Sequence, residues 1–255
     1  MVSLFEYLWL LPLGFVAGVI GSMIGLGGGF VVVPVLTFFG YSPTLAASDS
    51  LFAAFSNSVA STASYARQKR IVYSLGIKLA LISIPGTVIG AYVSDAVSPP
   101  LFKLLFGAVL VASGVYIYMR RKMEAREHNL SKQIMVLAVG ASFFAGVISS
   151  FFGIGGGSVF VPLMVVAIGL SMKLAAPTSQ FILMFAAASG MIVHSLLGHP
   201  NYYEAGMLSI GSFVGGMVGS RLSTRVNEGK LRLFVVIVLG ITAIKLVFDA
   251  LTSHT

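Results

Sequence analysis

Two glycine runs, Gly25-Leu26-Gly27-Gly28-Gly29 and Gly153-Ile154-Gly155-Gly156-Gly157, interrupt long apolar stretches. Clustered glycines unwind a helix, accept positive φ and bare backbone N–H groups. Within a lipid-facing sequence such backbone is tolerated where it lines a cavity or binds something. A helix restarting at Phe30 or at Ser158 would aim the positive end of its dipole at that cavity, which suits an anion. Ser158 is also placed to cap its own helix. The competing reading is that the glycines only let helices pack closely. A six-residue glycine pattern of this kind resembles a dinucleotide fingerprint, but no strand signal precedes it, so that reading is set aside.

A second polar set follows each run: Ser48-Asp49-Ser50 and Pro177-Thr178-Ser179-Gln180. Hydroxyls and an amide can hold an oxyanion without a buried counter-charge, and Ser50, Thr178, Ser179 and Gln180 are the expected donors. The same residue types also cap helices. Asp49 is a candidate proton-coupling carboxylate or an interfacial cap. Ser50, Asn57, Ser61 and Ser64 recur at helical spacing and make one hydrophilic stripe, a solute path or a helix–helix contact. His194 is a candidate for protonation in a transport cycle or a packed, hydrogen-bonded residue. Lys245 and Asp249, spaced i, i+4, are expected to pair.

The elements that must position these residues are set by composition. Of 255 residues 57% are apolar and 9% charged, and mean hydropathy is +0.96. Soluble domains carry about 25% charged residues, so lipid must solvate this chain. Apolar runs of about 18 residues or more recur along its length and do not alternate, which indicates spanning helices and excludes a β-barrel. The excess of 16 Lys+Arg over 8 Asp+Glu is not a nucleic-acid footprint. The cations cluster between apolar runs, as the positive-inside rule requires. The chain has no cysteine, hence no disulfide or thiolate chemistry. The first helix has no basic region before it, so it is expected to stay in the mature protein.

Residues 18–36 and 146–164 match at 11 of 19 positions with an offset of 128, including Pro34 and Pro162. Beyond them the offset is 129, pairing Ser50 with Ser179, Gly86 with Gly215 and Gly90 with Gly219. The chain therefore divides into a first transmembrane repeat at 1–119, a polar cytoplasmic linker at 120–132 and a second repeat at 133–255. Expected helices lie at 3–24, 44–65, 73–94 and 100–119, then 133–152, 174–197, 204–222 and 230–251, with short return segments at 30–39 and 158–168. Three basic clusters (residues 67–70, 120–132 and 221–232) hold 12 of the 16 cations and are assigned to the cytoplasm. The loops at 95–100 and 198–204 lack Lys and Arg and face out. Helix 73–94 then runs outward and its partner 204–222 inward, so the repeats are inverted and both termini are non-cytoplasmic. The crossing count requires each glycine run to turn the chain back. A ten-residue return reaches only ~15 Å of the ~30 Å core, which favours a re-entrant hairpin over full spans. The fold class is an all-α, multi-pass inverted-repeat membrane protein, with about four transmembrane helices and one glycine-rich hairpin per repeat.

The paired motifs Gly25-Leu26-Gly27-Gly28-Gly29…Pro34 and Gly153-Ile154-Gly155-Gly156-Gly157…Pro162, each followed by an Ala-rich Ser or Thr-Ser segment, resemble the TauE/SafE sulfite exporter family across essentially the whole chain. The resemblance implies a secondary transporter of sulfite or a small organosulfonate across the bacterial inner membrane, with the glycine runs, Ser50 and Ser179 as the substrate region. Ser48-Asp49-Ser50 departs from the Thr-Ser that the family often carries, and adds a negative charge near an anion site. The expected function is outward transport of a small oxyanion driven by an ion gradient. A carrier or channel for another small solute, or a cargo-free membrane assembly subunit, is the alternative. No membrane-enzyme motif occurs; no cofactor, metal or nucleic acid is expected, and the partners are a small anion and the bilayer.

Overall fold

The computed structural model describes residues 7–94, 96–119 and 132–225, with scattered positions between 233 and 248. These residues form helices joined by short turns, and no strand occurs among them. In chain order they are α1 (Leu10–Ile24), α2 (Gly29–Phe38), α3 (Pro43–Arg67), α4 (Tyr73–Ser94), α5 (Pro99–Met119), α6 (Lys132–Phe152), α7 (Gly157–Val166), α8 (Met172–Leu196) and α9 (Tyr202–Leu222). The linker before Lys132, both termini, most of the expected helix 230–251 and Asp249 lie outside the described residues. Lys245 is described, and its ammonium stands 2.9 Å from the centroid of the Phe38 ring.

Two expectations are corrected. The first helix starts at Leu10 rather than near residue 3, with Tyr7–Trp9 in a turn. Pro12 explains the late start, because its missing N–H is harmless only in a first turn. Ser158 does not cap α7: Gly156 holds the cap position at φ 78°, and α7 opens at Gly157. The caps of α3 and α8 are Ser42 and Ser171, both extended, and Ser42 Oγ accepts the Leu45 N–H. Ser48–Ser50 and Pro177–Gln180 consequently stand in the second helical turn, released from capping.

The interior is mostly apolar, but unlike that of a water-soluble protein it is wrapped in large exposed apolar side chains and also encloses polar groups. Leu81 is 62% exposed and Leu196 82%, whereas Asp49, Asn57 and His194 are fully buried. So extensive an exposed apolar surface is that of a chain whose outside meets lipid. α4 and α8 are each long and apolar enough to cross a bilayer unaided. α3 is as long as α8, and its buried Ser50, Asn57, Ser58 and Ser61 account for its lower hydropathy.

Glycines seat the helices against one another. Gly18 faces the Ser212 backbone, Gly215 faces Phe15 and Gly219 faces Val19, so α1 and α9 run parallel in contact. Gly146 faces Ser83, Gly86 faces Phe143 and Gly90 faces Val147, so α4 and α6 do the same. Each contact in one set maps onto one in the other by the offsets 128 and 129. α3 and α8 run antiparallel, since Ser58 meets Gln180 while Leu51 meets Gly190. At one end, Arg70 donates to the Lys173 carbonyl at 3.0 Å and to Ser223 Oγ at 3.0 Å, gathering the basic ends of α3, α8 and α9. The starts of α3 and α9 meet at the opposite end.

The short helices return beside their partners. The Trp9 and Phe39 rings lie 4.9 Å apart, so α2 ends where α1 begins. Met164 and Ile168 share a core with Ala138, so α7 folds back along α6.

Candidate functional site

The two glycine turns meet in the interior. Gly25 and Gly27 have φ of 82° and 75°, and Gly153, Gly155 and Gly156 have 68°, 79° and 78°, all in the left-handed region open to glycine. A Cβ on Gly29 would strike the Gly153 carbonyl, and one on Gly157 would strike the Gly25 carbonyl. The turns therefore cross backbone against backbone, and α2 and α7 begin at the crossing. Helix N-termini leave their first N–H groups without an intrahelical carbonyl, so two positive helix ends are delivered to one place.

Side chains of α3 and α8 reach this crossing. Ser50 Oγ donates to the Gly153 carbonyl at 2.8 Å, and Ser179 Oγ donates to the Gly25 carbonyl at 2.7 Å. Gln180 Nε2 donates to the Gly21 carbonyl at 2.8 Å, and its Oε1 accepts from Ser58 Oγ at 3.1 Å. In this conformation the hydroxyls expected to hold an anion tie each turn to the other half. Side chains of Ala54 and Leu183 close over Gly27 and Gly155. Gly25, Gly29, Gly153 and Gly157 pack backbone against backbone, as the competing close-packing reading expected, and Gly28 and Gly156 hold the cap positions of α2 and α7.

Other expected residues lie away from the crossing. Thr178 Oγ1 accepts the Val72 N–H at 3.0 Å. Asn57 is buried against Gly216 on α9, and neither atom of its amide meets a partner. Toward the basic end, α3 and α9 border a mostly apolar cavity of about 440 Å³, lined by Val59, Ala60, Phe213 and Met217 with Ser64 and Arg67 at its edge. His194 sits at the far end of α8, with Nε2 3.1 Å from the Ser150 carbonyl and Nδ1 2.8 Å from His199 Nδ1. A carbonyl only accepts, so His194 Nε2 is the donor. Its repeat-equivalent, Tyr65, donates to the carbonyl of Ser22, the equivalent of Ser150, at 2.8 Å.

One pair of residues was not singled out from sequence. Asp49 Oδ1 accepts the Asn201 backbone N–H at 3.0 Å, and Asn201 Nδ2 donates to Glu204 Oε1 at 2.8 Å. The signal available was a carboxylate early in each of two expected transmembrane helices, Asp49 in α3 and Glu204 in α9.

The decisive comparison is with family models: residues 10–246 match the one described as "Sulfite exporter TauE/SafE". The chain belongs to the TauE/SafE family. Among TauE/SafE relatives, "Probable membrane transporter protein YunE" of Bacillus subtilis is 29% identical, over 97% of this chain and 100% of its own. "Probable membrane transporter protein MJ0441" of Methanocaldococcus jannaschii is 30% identical, over 93% of this chain and 95% of its own. "Probable membrane transporter protein YfcA" of Escherichia coli is 24% identical, over 92% and 87%. No solved structure matches. This TauE/SafE protein is therefore a membrane transporter.

Proposed function

We propose that this transporter carries a small oxyanion, sulfite or an organosulfonate, outward across the inner membrane in exchange for the energy of an ion gradient. The repeats at 1–119 and 133–255 are inverted, the linker 120–132 is cytoplasmic and both termini are external. The observation that carries the reading is the delivery of two helix N-termini, those of α2 and α7, to one buried crossing lined by Ser50 and Ser179. Two positive dipole ends with neutral hydroxyls favour an anion of low charge. The antiparallel run of α3 and α8, whose sequences are repeat-equivalent, supports the inverted arrangement. In the transporting state the two serines release their glycine carbonyls and turn to the anion.

Isotope-labelled sulfite uptake into proteoliposomes tests this, with melting in detergent with and without sulfite as the fold control. Each lost hydroxyl should cost about 1–3 kcal/mol of anion binding, the range for hydrogen bonds to charged groups. Ser50→Ala and Ser179→Ala should thus weaken sulfite roughly 5- to 150-fold at 1.4 kcal/mol per decade. Undiminished sulfite affinity in both variants would remove the serines from the site. A wild-type protein that accumulates amines and ignores sulfite would overturn the anion reading.

A further inference from the structure

At the outer end of α3 the Asp49 carboxyl is fully buried, and Glu204, in the first turn of α9, is 5% exposed. Asn201 spends its polar groups holding them together: its backbone N–H goes to Asp49 Oδ1, its Nδ2 to Glu204 Oε1 and its Oδ1 to the Tyr203 N–H at 3.2 Å. Ser48 Oγ adds a long contact of 3.5 Å to Asp49 Oδ1. That leaves Asp49 Oδ2 and Glu204 Oε2 buried with no N–H or hydroxyl donor from another residue, within hydrogen-bonding reach of each other's carboxyl. The two carboxyls interact directly. The titratable groups facing them are Tyr41 from the α2–α3 connection and, beyond it, Tyr7; no Lys or Arg is paired with either carboxyl among the described residues. Removing carboxylates from water is costly unless a positive charge accompanies them.

The second half of the molecule shows what this junction needs for folding alone. The residue equivalent to Asp49 is Thr178, that equivalent to Asn201 is Val72 and that equivalent to Glu204 is Leu75. There the Val72 N–H donates to Thr178 Oγ1 at 3.0 Å, the same bond as Asn201 N–H to Asp49, and Leu75 is buried where Glu204 stands. The same helix–helix junction is built once with a hydroxyl and a leucine and once with two carboxyls. The acids are not required by the fold, and two buried carboxyls facing each other without a cation point to a ligand.

We propose that Asp49 Oδ2 and Glu204 Oε2 form the binding site of the coupling cation, a single positive charge supplied as H⁺ or Na⁺. Both are hard cations that take oxygen ligands, and either satisfies the two oxygens at once. The inference rests on the transport reading above and names its energy source. Asp49 precedes Ser50 in the chain, so a cation that draws the Asp49 turn of α3 toward α9 also sets the serine that ties Gly153. Cation occupancy and anion release are thereby linked through one turn of helix.

The test uses the full chain and the double substitution Asp49→Thr with Glu204→Leu, which copies the other half's junction and so preserves packing; Glu204→Gln is the second variant. Purified protein is melted across pH 5 to 8 without sodium, and across a sodium series at fixed pH. Wild type should gain on the order of 5 °C at saturating cation, and both variants should lose that gain while Tyr41, Tyr7 and the His194–His199 pair remain. A response to pH alone assigns H⁺; a response to sodium assigns Na⁺. In proteoliposomes the matching inward gradient should accelerate sulfite movement by wild type and leave both variants unaccelerated. Retention of the full cation response in both variants, in melting and in transport, overturns the site. If wild type moves no sulfite under any gradient, the anion reading fails, and the melting comparison still decides the cation site.

Discussion

Gly28 and Gly29 are chain neighbours in different surroundings. Gly29 lies under the Gly153 carbonyl and Ser50 Oγ, whereas a Cβ on Gly28 would meet Ala17 at an ordinary 3.5 Å. Gly28 also has φ −77°, which any residue adopts. Gly29→Ala should therefore lower the melting temperature by forcing the turns apart, and Gly28→Ala should melt within about 2 °C of wild type, since about 1 kcal/mol moves a chain of this size by 2–4 °C. Equal melting of the two variants would mean that the turns do not cross as described. At this scale much of the site was legible: the glycine runs, Ser50, Ser179 and Gln180 were named from type and spacing, and they converge. Glu204 and Asn201 were not, because their partner Asp49 is 152 residues away and an acid in a first helical turn already has a local reason to be there. The second role of the serines was hidden for the same cause. Whether a hydroxyl donates to a distant carbonyl depends on which backbone the fold brings within 3 Å.

At the scale of elements, the packing of α1 on α9 and α4 on α6 is set by glycines that face backbone rather than side chains. Gly146 has the Ser83 carbonyl where its Cβ would stand, while Gly140, two turns earlier on α6, has open space. Gly146→Leu should destabilise by about 1–3 kcal/mol or more, the cost of overpacking, and Gly140→Leu should be neutral, as read by melting in detergent. The helices themselves were readable because apolar runs and polar breaks fix them, and α4 falls on the expected residues. The start of α1 was not, because hydropathy counts Leu4 to Leu11 as continuous and does not see that Pro12 belongs in a first turn. Orientation was inferred from charge, and the structure adds why α3 tolerates so many hydroxyls: Ser50 donates to the second glycine turn, Ser58 to Gln180 on α8 and Ser61 back to the Asn57 carbonyl.

For the whole molecule, the gathering of Arg70, Lys173 and Ser223 at one end and of Asp49 and Asn201 at the other defines two faces. With no native cysteine, single introduced cysteines report each face cleanly. Ser98→Cys, after α4, should react with an impermeant thiol reagent in intact cells, and Thr224→Cys, after α9, should react only once the cells are opened. The reverse pattern would invert the proposed direction of the carrier. The reciprocal ties at the crossing also bear on how the protein comes to exist at the ribosome. The Gly25 carbonyl receives its donor from Ser179, 154 residues later. At about 5–20 residues per second, that carbonyl waits roughly 8–30 s in a nascent chain before its partner is made. During that interval the first half is an inserted but unfinished object, its turn held open for a hydroxyl not yet translated. A chain cut short after α5 lacks the Ser179 donor, so its Gly25 carbonyl is left without that bond.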